Sequence, residues 1–278
     1  MNPEDLSPIV IYYSTALFLA GLACLIHHIF LNKKDSELAV HRDLNPWKIK
    51  SLDLGLILVF IYLFIFGASI LTKEVYKYLY EVGEIPEDLL FLLGYPTHIA
   101  IIICLYGFFK YFDLNDNRPI RSRRTDVFII VTQSVYFFLA VIPILLLGSY
   151  IWPMVLELLN LPVEQQDLAT QVENMEVSLI FFLIAFLAVI LAPISEEFLF
   201  RAFLYRSLKN YISPALAAVI TSLIFAGMHF NWLSFLPLFL LGIWLCLTYE
   251  KTGNIFVPIM LHGLFNGNTL LVLMLMNE

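Results

Sequence analysis

Six polar side chains in the last third of the chain sit in or against strongly apolar sequence: Glu196, Glu197, Arg201, His229, His262 and Asn266. An ionisable group at mid-membrane depth costs about 2.5–3.5 kcal/mol on insertion scales, so several together call for more than packing. Their spacing sorts them. Successive helical residues point about 100° apart, so Glu196 and Glu197 cannot both face one pocket squarely. Glu197 and Arg201 stand at i,i+4 and can neutralise each other along one face, which leaves Glu196 as the uncommitted carboxylate. His262 and Asn266 share a face at the same spacing, as do Phe225 and His229. One carboxylate as general base, two imidazoles and an amide in one cavity can activate water and hold a developing oxyanion.

The elements that must carry these groups are membrane helices. Of the 278 residues 60% are hydrophobic and 14% charged, with a mean hydropathy of +0.83. Soluble domains carry about 25% charged residues and about 45–50% apolar ones. That excludes disorder, a coiled coil and a collagen-like fibre, and a net charge of −7 excludes a nucleic-acid partner. The apolar residues fall into eight runs long enough to span a bilayer: about Pro8–Leu31, Leu52–Leu71, Leu89–Phe109, Val127–Trp152, Val177–Ile194, Ile212–Phe230, Trp232–Tyr249 and Ile255–Met276. None alternates with the period of barrel strands, so each reads as a helix. The expected fold is an all-α integral membrane protein of about eight transmembrane helices, with a cavity within the last four.

Simple geometry tests whether the polar groups meet. Val177–Lys209 reads as one helical stretch in which Pro193 leaves the carbonyl of Val189 without its usual partner. It turns over Asn210–Pro214. Counting 1.5 Å per residue from that turn sets Glu196 roughly 21 Å up and His229 roughly 24 Å. From the turn at Lys251–Asn254, His262 lies roughly 14 Å up and Asn266 roughly 20 Å. Four polar residues on three helices therefore overlap in depth.

The loops and the remaining polar residues read differently. Lys33, Lys34, Arg42, Lys48 and Lys50 follow the first run, and Lys110, Arg118, Arg121, Arg123 and Arg124 follow the third. The second loop has Lys73 and Lys77 among five acids, and residues 153–176 contain no Lys or Arg. The positive-inside rule then expects a multi-pass protein with both termini outside the cytosol and the site nearer the outer face. The acidic start Met1–Asp5 argues for a retained first span rather than a signal peptide, and neither end carries a lipidation signal. Cys24, Cys104 and Cys246 have no paired spacing and read as small buried apolar residues. His27, His28 and Asp53 lie where snorkelling to the interface is easy. His98, beside Pro96, reads as a packing or hydrogen-bonding residue.

The motifs themselves match a known pattern. Glu196-Glu197-Phe198-Leu199-Phe200-Arg201 fits Glu-Glu-x-x-x-Arg, Phe225-Ala226-Gly227-Met228-His229 fits Phe-x-x-x-His, and His262-Gly263-Leu264-Phe265-Asn266 fits His-x-x-x-Asn. In this order on successive hydrophobic segments they resemble the CAAX protease and bacteriocin-processing (CPBP/Abi) family of intramembrane endopeptidases, in the manner of CAAX prenyl protease 2. The likeness runs over about Val177 to Asn268. It implies that Glu196 activates the attacking water with help from His229, while His262 and Asn266 position that water and stabilise the tetrahedral oxyanion. Glu197 with Arg201 would hold the site in shape or orient the peptide, and Phe225 would line the cavity. It also divides the chain into a three-helix membrane region, 1–126, and a protease region, 127–278, whose motif core is 177–268. The prenyl-protein proteases of this family process cytosolic substrates, which sets a question against a site near the outer face.

Partners implied by this reading are a membrane protein or lipidated peptide as substrate and the lipid bilayer itself, with no nucleic acid. No cofactor is expected. Were zinc used, Glu196, His229 and His262 would be its ligands, although the His-Glu-x-x-His arrangement of zincins is absent. Two other functions compete with the intramembrane endopeptidase. A non-catalytic membrane scaffold would keep the same residues as a helix-packing polar network. A proton-coupled carrier would show internal repeats, and none is found here.

Overall fold

The structure is a computed structural model that describes residues 8–31, 44–82, 94–111, 127–164, 175 and 177–276. Met1–Asp5, on which the retained first span rests, and Lys33, Lys34, Arg42, Arg118, Arg121, Arg123 and Arg124, on which the expected orientation rests in part, lie outside the described residues. Eight helical segments follow one another, and no strand occurs among the described residues. They are α1 (Pro8–Ile26, prolonged by a π-turn His27–Leu31), α2 (Ser51–Val82), α3 (Gly94–Tyr111) and α4 (Val127–Leu158). The second half holds α5 (Leu179–Leu208), α6 (Pro214–Gly227), α7 (Trp232–Thr252) and α8 (Phe256–Leu275).

Six of these helices, α1, α2, α4, α5, α7 and α8, are long and apolar enough to cross a membrane. The chain is an integral multi-pass membrane protein. The other two apolar runs fall on α3, whose ends carry polar residues, and on α6, which is short. Fourteen residues of α6 rise about 21 Å, less than the roughly 30 Å of a hydrocarbon core. The expected run Ile212–Phe230 is thus interrupted. Its helix stops at Gly227, Phe230 takes a left-handed φ of 49°, and Asn231 caps α7 by accepting from the Ser234 N–H at 2.9 Å.

Packing centres on α4, which contacts α1, α7 and α8, while α5 is held between α3, α6 and α8. The main core buries Phe137, Val141 and Leu145 of α4 with Phe200 and Phe203 of α5, Phe225 of α6, Leu241 and Leu245 of α7, and Leu261 of α8. At the end of the bundle where α5 turns into α6, residues 44–50 form a strap. Trp47 is fully buried there, its N–H donating to the Arg206 carbonyl at 3.1 Å. Arg206 returns two bonds to the Asn45 carbonyl and stacks 4.8 Å over the Trp47 ring.

Candidate active site

Helix α5 is built around two relaxed turns, and the first shapes the site. At Leu187–Leu191 the backbone widens to a π-turn, with the Ala192 N–H reaching back to the Leu187 carbonyl. In an α register that N–H would have bonded Ala188, and in the π register Ala188 would accept from residue 193. Residue 193 is proline and has no N–H. The Ala188 carbonyl is therefore left for an outside donor, and Asn266 Nδ2 of α8 fills that role at 2.7 Å. Gly263, one turn earlier on α8, lies against the Val189 carbonyl: a Cβ there would stand 2.6 Å from that oxygen. Proline, π-turn, glycine and asparagine form one device that locks α8 onto α5.

The two glutamates sit beyond this lock and differ sharply. Glu197 is fully buried. Its Oε1 accepts from Arg201 Nη1 at 2.7 Å and from His262 Nδ1 at 2.8 Å. Arg201, also fully buried, donates through Nη2 to the Gly242 carbonyl at 3.2 Å, and its guanidinium lies 4.6 Å from the Phe225 ring centroid. The ion pair read from i,i+4 spacing is present, and His262 makes it a triad. Glu196 is different: its side chain is 18% exposed, and Oε2 stands 3.8 Å from His262 Nε2. That separation exceeds a hydrogen bond and is compatible with one oxygen lodged between the two groups. His262 thus faces both carboxylates, one through each ring nitrogen.

Tautomers follow from the partners. The buried carboxylate on Nδ1 of His262 accepts that nitrogen's proton, so the neutral ring presents its Nε2 lone pair toward Glu196. His229 behaves alike. Its Nδ1–H donates to the Phe225 carbonyl at 2.9 Å, leaving Nε2 as the acceptor. The ring sits in the turn after α6, beside the left-handed Phe230, and not within a helix as the apolar run implied. Phe225 is the aromatic hub: its ring is edge-on to Phe200, His229 and His262 at 5.3, 5.0 and 5.7 Å. Straight-helix counting set His262 lower than Glu196; the structure brings the two within reach.

No three His, Cys, Asp or Glu side chains are grouped so as to hold a metal ion among the described residues. Glu196, His229 and His262 are not gathered as three donors, while Nδ1 is the hydrogen-bonded nitrogen of both rings. One residue of the surroundings was passed over by sequence reasoning. Ser195, fully buried, lies 2.6 Å from Nδ1 of His98 on α3, which does serve as a hydrogen-bonding residue, but beside Glu196. The signal was its depth in an apolar run.

Comparison with known proteins meets this geometry at the same residues. Residues 178–268 match the family described as type II CAAX prenyl endopeptidase Rce1-like. The segment that carries the three motifs is thus similar to the CAAX protease family. A relative, the membrane-embedded CAAX protease MroQ of Staphylococcus aureus (strain USA300), is 35% identical over 89 residues, which is 30% of this chain and 36% of MroQ. The chain therefore matches about a third of that relative's length. No solved structure matches the chain. Within the matched segment lie Glu196, Glu197, Arg201, Phe225, His229, His262 and Asn266; His98 lies outside it.

Proposed function

We propose that this chain is an intramembrane endopeptidase that hydrolyses a peptide bond of a membrane-associated substrate with a water activated by Glu196. The observation that carries the proposal is the division of labour between neighbouring carboxylates. Glu197 is spent inside on Arg201 and His262, and Glu196 is left partly open, facing the free nitrogen of His262. A water between Glu196 Oε2 and His262 Nε2 would donate one proton to each acceptor and turn its lone pairs toward a substrate carbonyl. As the oxygen–carbon bond forms, Glu196 takes the water's proton. The carbonyl π electrons pass to the oxyanion, which the second N–H of Asn266 would stabilise. Collapse breaks the carbon–nitrogen bond, and the proton held by Glu196, relayed through the Nε2 of His229, leaves on the amine. Glu197 and Arg201 keep the His262 tautomer fixed throughout.

The CAAX-protease likeness over 178–268 supports a prenylated, CAAX-type C-terminus as one substrate class for this reading; region 127–278 would carry the chemistry, and the loop charges would set both chain termini outside the cytosol. The test is cleavage in liposomes of a farnesylated CAAX-ended peptide and of its unprenylated counterpart, with the new ends mapped by mass spectrometry. Wild type is expected to cut, and Glu196→Gln to lose at least about a thousandfold in kcat, in the range of a lost general base plus its positioned water, with an unchanged melting temperature. Wild-type-like cutting by Glu196→Gln would refute the mechanism. Failure of wild type to cut any peptide would favour the scaffold.

A further inference from the structure

Helix α3 reaches the site although it lies outside the segment that carries the three motifs. Its contact is a single chain of hydrogen bonds. Ser195 Oγ donates to the Ala192 carbonyl at 2.9 Å, so its hydroxyl proton is spent. The 2.6 Å contact to His98 must then run from Nδ1–H of His98 to Ser195 Oγ. That assignment leaves His98 with an unprotonated Nε2. Ser195 has no exposure, immediately precedes Glu196, and sits in the short α-helical segment Ala192–Glu197 framed by the two π-turns. Such π-turns inside an α-helix are frequent at functional sites. The bond to Ser195 brings His98 to the residue that immediately precedes Glu196. Two further contacts clamp the start of α3 to α5. Tyr95 Oη donates to the Leu183 carbonyl at 2.7 Å, and Gly94 lies so close to Leu187 that a Cβ would stand 2.9 Å from Cδ2.

The geometry points to His98 as a positioning residue for hydrolysis: through its Nδ1–H it holds Ser195, and with it the rotation of the segment that aims Glu196 at His262. The inference rests on the endopeptidase reading. It adds that α3 is part of the working site, so the motif-bearing helices alone are incomplete. A passive packing histidine would tolerate any substitution of similar bulk. A positioning histidine demands a donor at the Nδ1 place. Asparagine puts its amide nitrogen near that place, whereas glutamine puts it near the Nε2 place.

The test uses the full-length protein in liposomes with the farnesylated CAAX-ended peptide and its unprenylated counterpart as probes. His98→Ala, Ser195→Ala and the double variant should each lower kcat about tenfold with KM unchanged, and the double variant no more than either single one. His98→Asn should recover at least half of the wild-type kcat and His98→Gln should not. A His98→Ala enzyme that keeps more than half of wild-type kcat, or equal rescue by asparagine and glutamine, overturns the assignment. Melting temperatures in detergent separate misfolding from mispositioning, and His98→Asn provides a folded comparison if His98→Ala unfolds. A second readout needs no turnover: labelling of Glu196 by dicyclohexylcarbodiimide, followed by mass spectrometry, in wild type, His98→Asn and His98→Gln. A severalfold change in labelling rate in His98→Gln, with His98→Asn near wild type, supports the positioning role even if neither peptide is cut. In that case the endopeptidase reading fails for these probes and the placement of Glu196 stands. Equal labelling in all three proteins overturns the assignment.

Discussion

Replacing Arg201 by leucine should destabilise the protein by about 4 kcal/mol, and removing Glu197 as well should return much of that loss. The arginine is fully buried and holds three things at once: Glu197 at 2.7 Å, the Gly242 carbonyl at 3.2 Å and the Phe225 ring at 4.6 Å. Its loss strands a carboxylate with no exposure, whose second oxygen has no hydrogen-bond partner among the described residues. The one remaining donor is His262 Nδ1 at 2.8 Å. Breaking a buried pair from one side costs about 3–5 kcal/mol because the partner charge stays behind, and the lost ring contact acts in the same direction. In Glu197→Met with Arg201→Leu both charges go, and the apolar side chains approximate the lost volume. What is then orphaned is the His262 Nδ1–H, an unsatisfied buried donor at about 1–3 kcal/mol. The double variant should therefore be more stable than Arg201→Leu alone by about 2 kcal/mol, taking the midpoints of those ranges. Cleavage should not return with stability, since His262 has lost the carboxylate that fixes its tautomer. Equilibrium unfolding in mixed SDS and dodecylmaltoside micelles, followed by helical circular dichroism, measures the stabilities. An Arg201→Leu cost below about 1 kcal/mol, or a double variant less stable than that single one, would refute the account of this network.

The lock between α5 and α8 yields the remaining predictions. Gly263→Ala forces a methyl to within 2.6 Å of the Val189 carbonyl, a backbone atom that cannot swing aside, so the helices must separate at a cost of about 1–3 kcal/mol by thermal or SDS unfolding. Gly227→Ala is the matched control: nothing lies within 4 Å of its would-be Cβ, and melting should be unchanged or raised by the equivalent of about 0.4–1 kcal/mol. Asn266→Leu strands the Ala188 carbonyl and should cost about 1–3 kcal/mol. Pro193→Ala supplies an N–H at residue 193 that can bond the same carbonyl, so adding it to Asn266→Leu should recover part of that stability, and strictly additive losses in the two variants would count against the lock.

What could be read ahead of the structure divides according to the range of the interaction. The helices were legible because a bilayer imposes one requirement, a long apolar run, on every spanning segment. The Glu197–Arg201 pair was legible because four residues along one helix fix a shared face whatever surrounds it. The break after Gly227 was not, because Met228 and Phe230 continue the apolar run on either side of His229. Hydropathy does not register the left-handed turn at Phe230 or the cap from Asn231 that end one helix and start the next. The Glu197–Arg201 pairing already set Glu196 apart from Glu197, but the third member of the triad, His262, lies 65 residues from Glu197, and His98 meets Ser195 across 97 residues. Neither separation leaves a local trace, so His98 looked like any histidine beside a proline. Pro193 offered the one long-range signal that a sequence can carry. A proline inside a membrane helix leaves a backbone carbonyl without a donor, and in lipid that group must be met from elsewhere. The expected orphan was the Val189 carbonyl. Because the helix widens at Leu187–Leu191, the carbonyl that recruits a donor is Ala188, one residue earlier, and the donor is the asparagine of the last motif. The asparagine's place in the site is thus set by a backbone defect in another helix, which is why motif spacing could name Asn266 but not say what holds it.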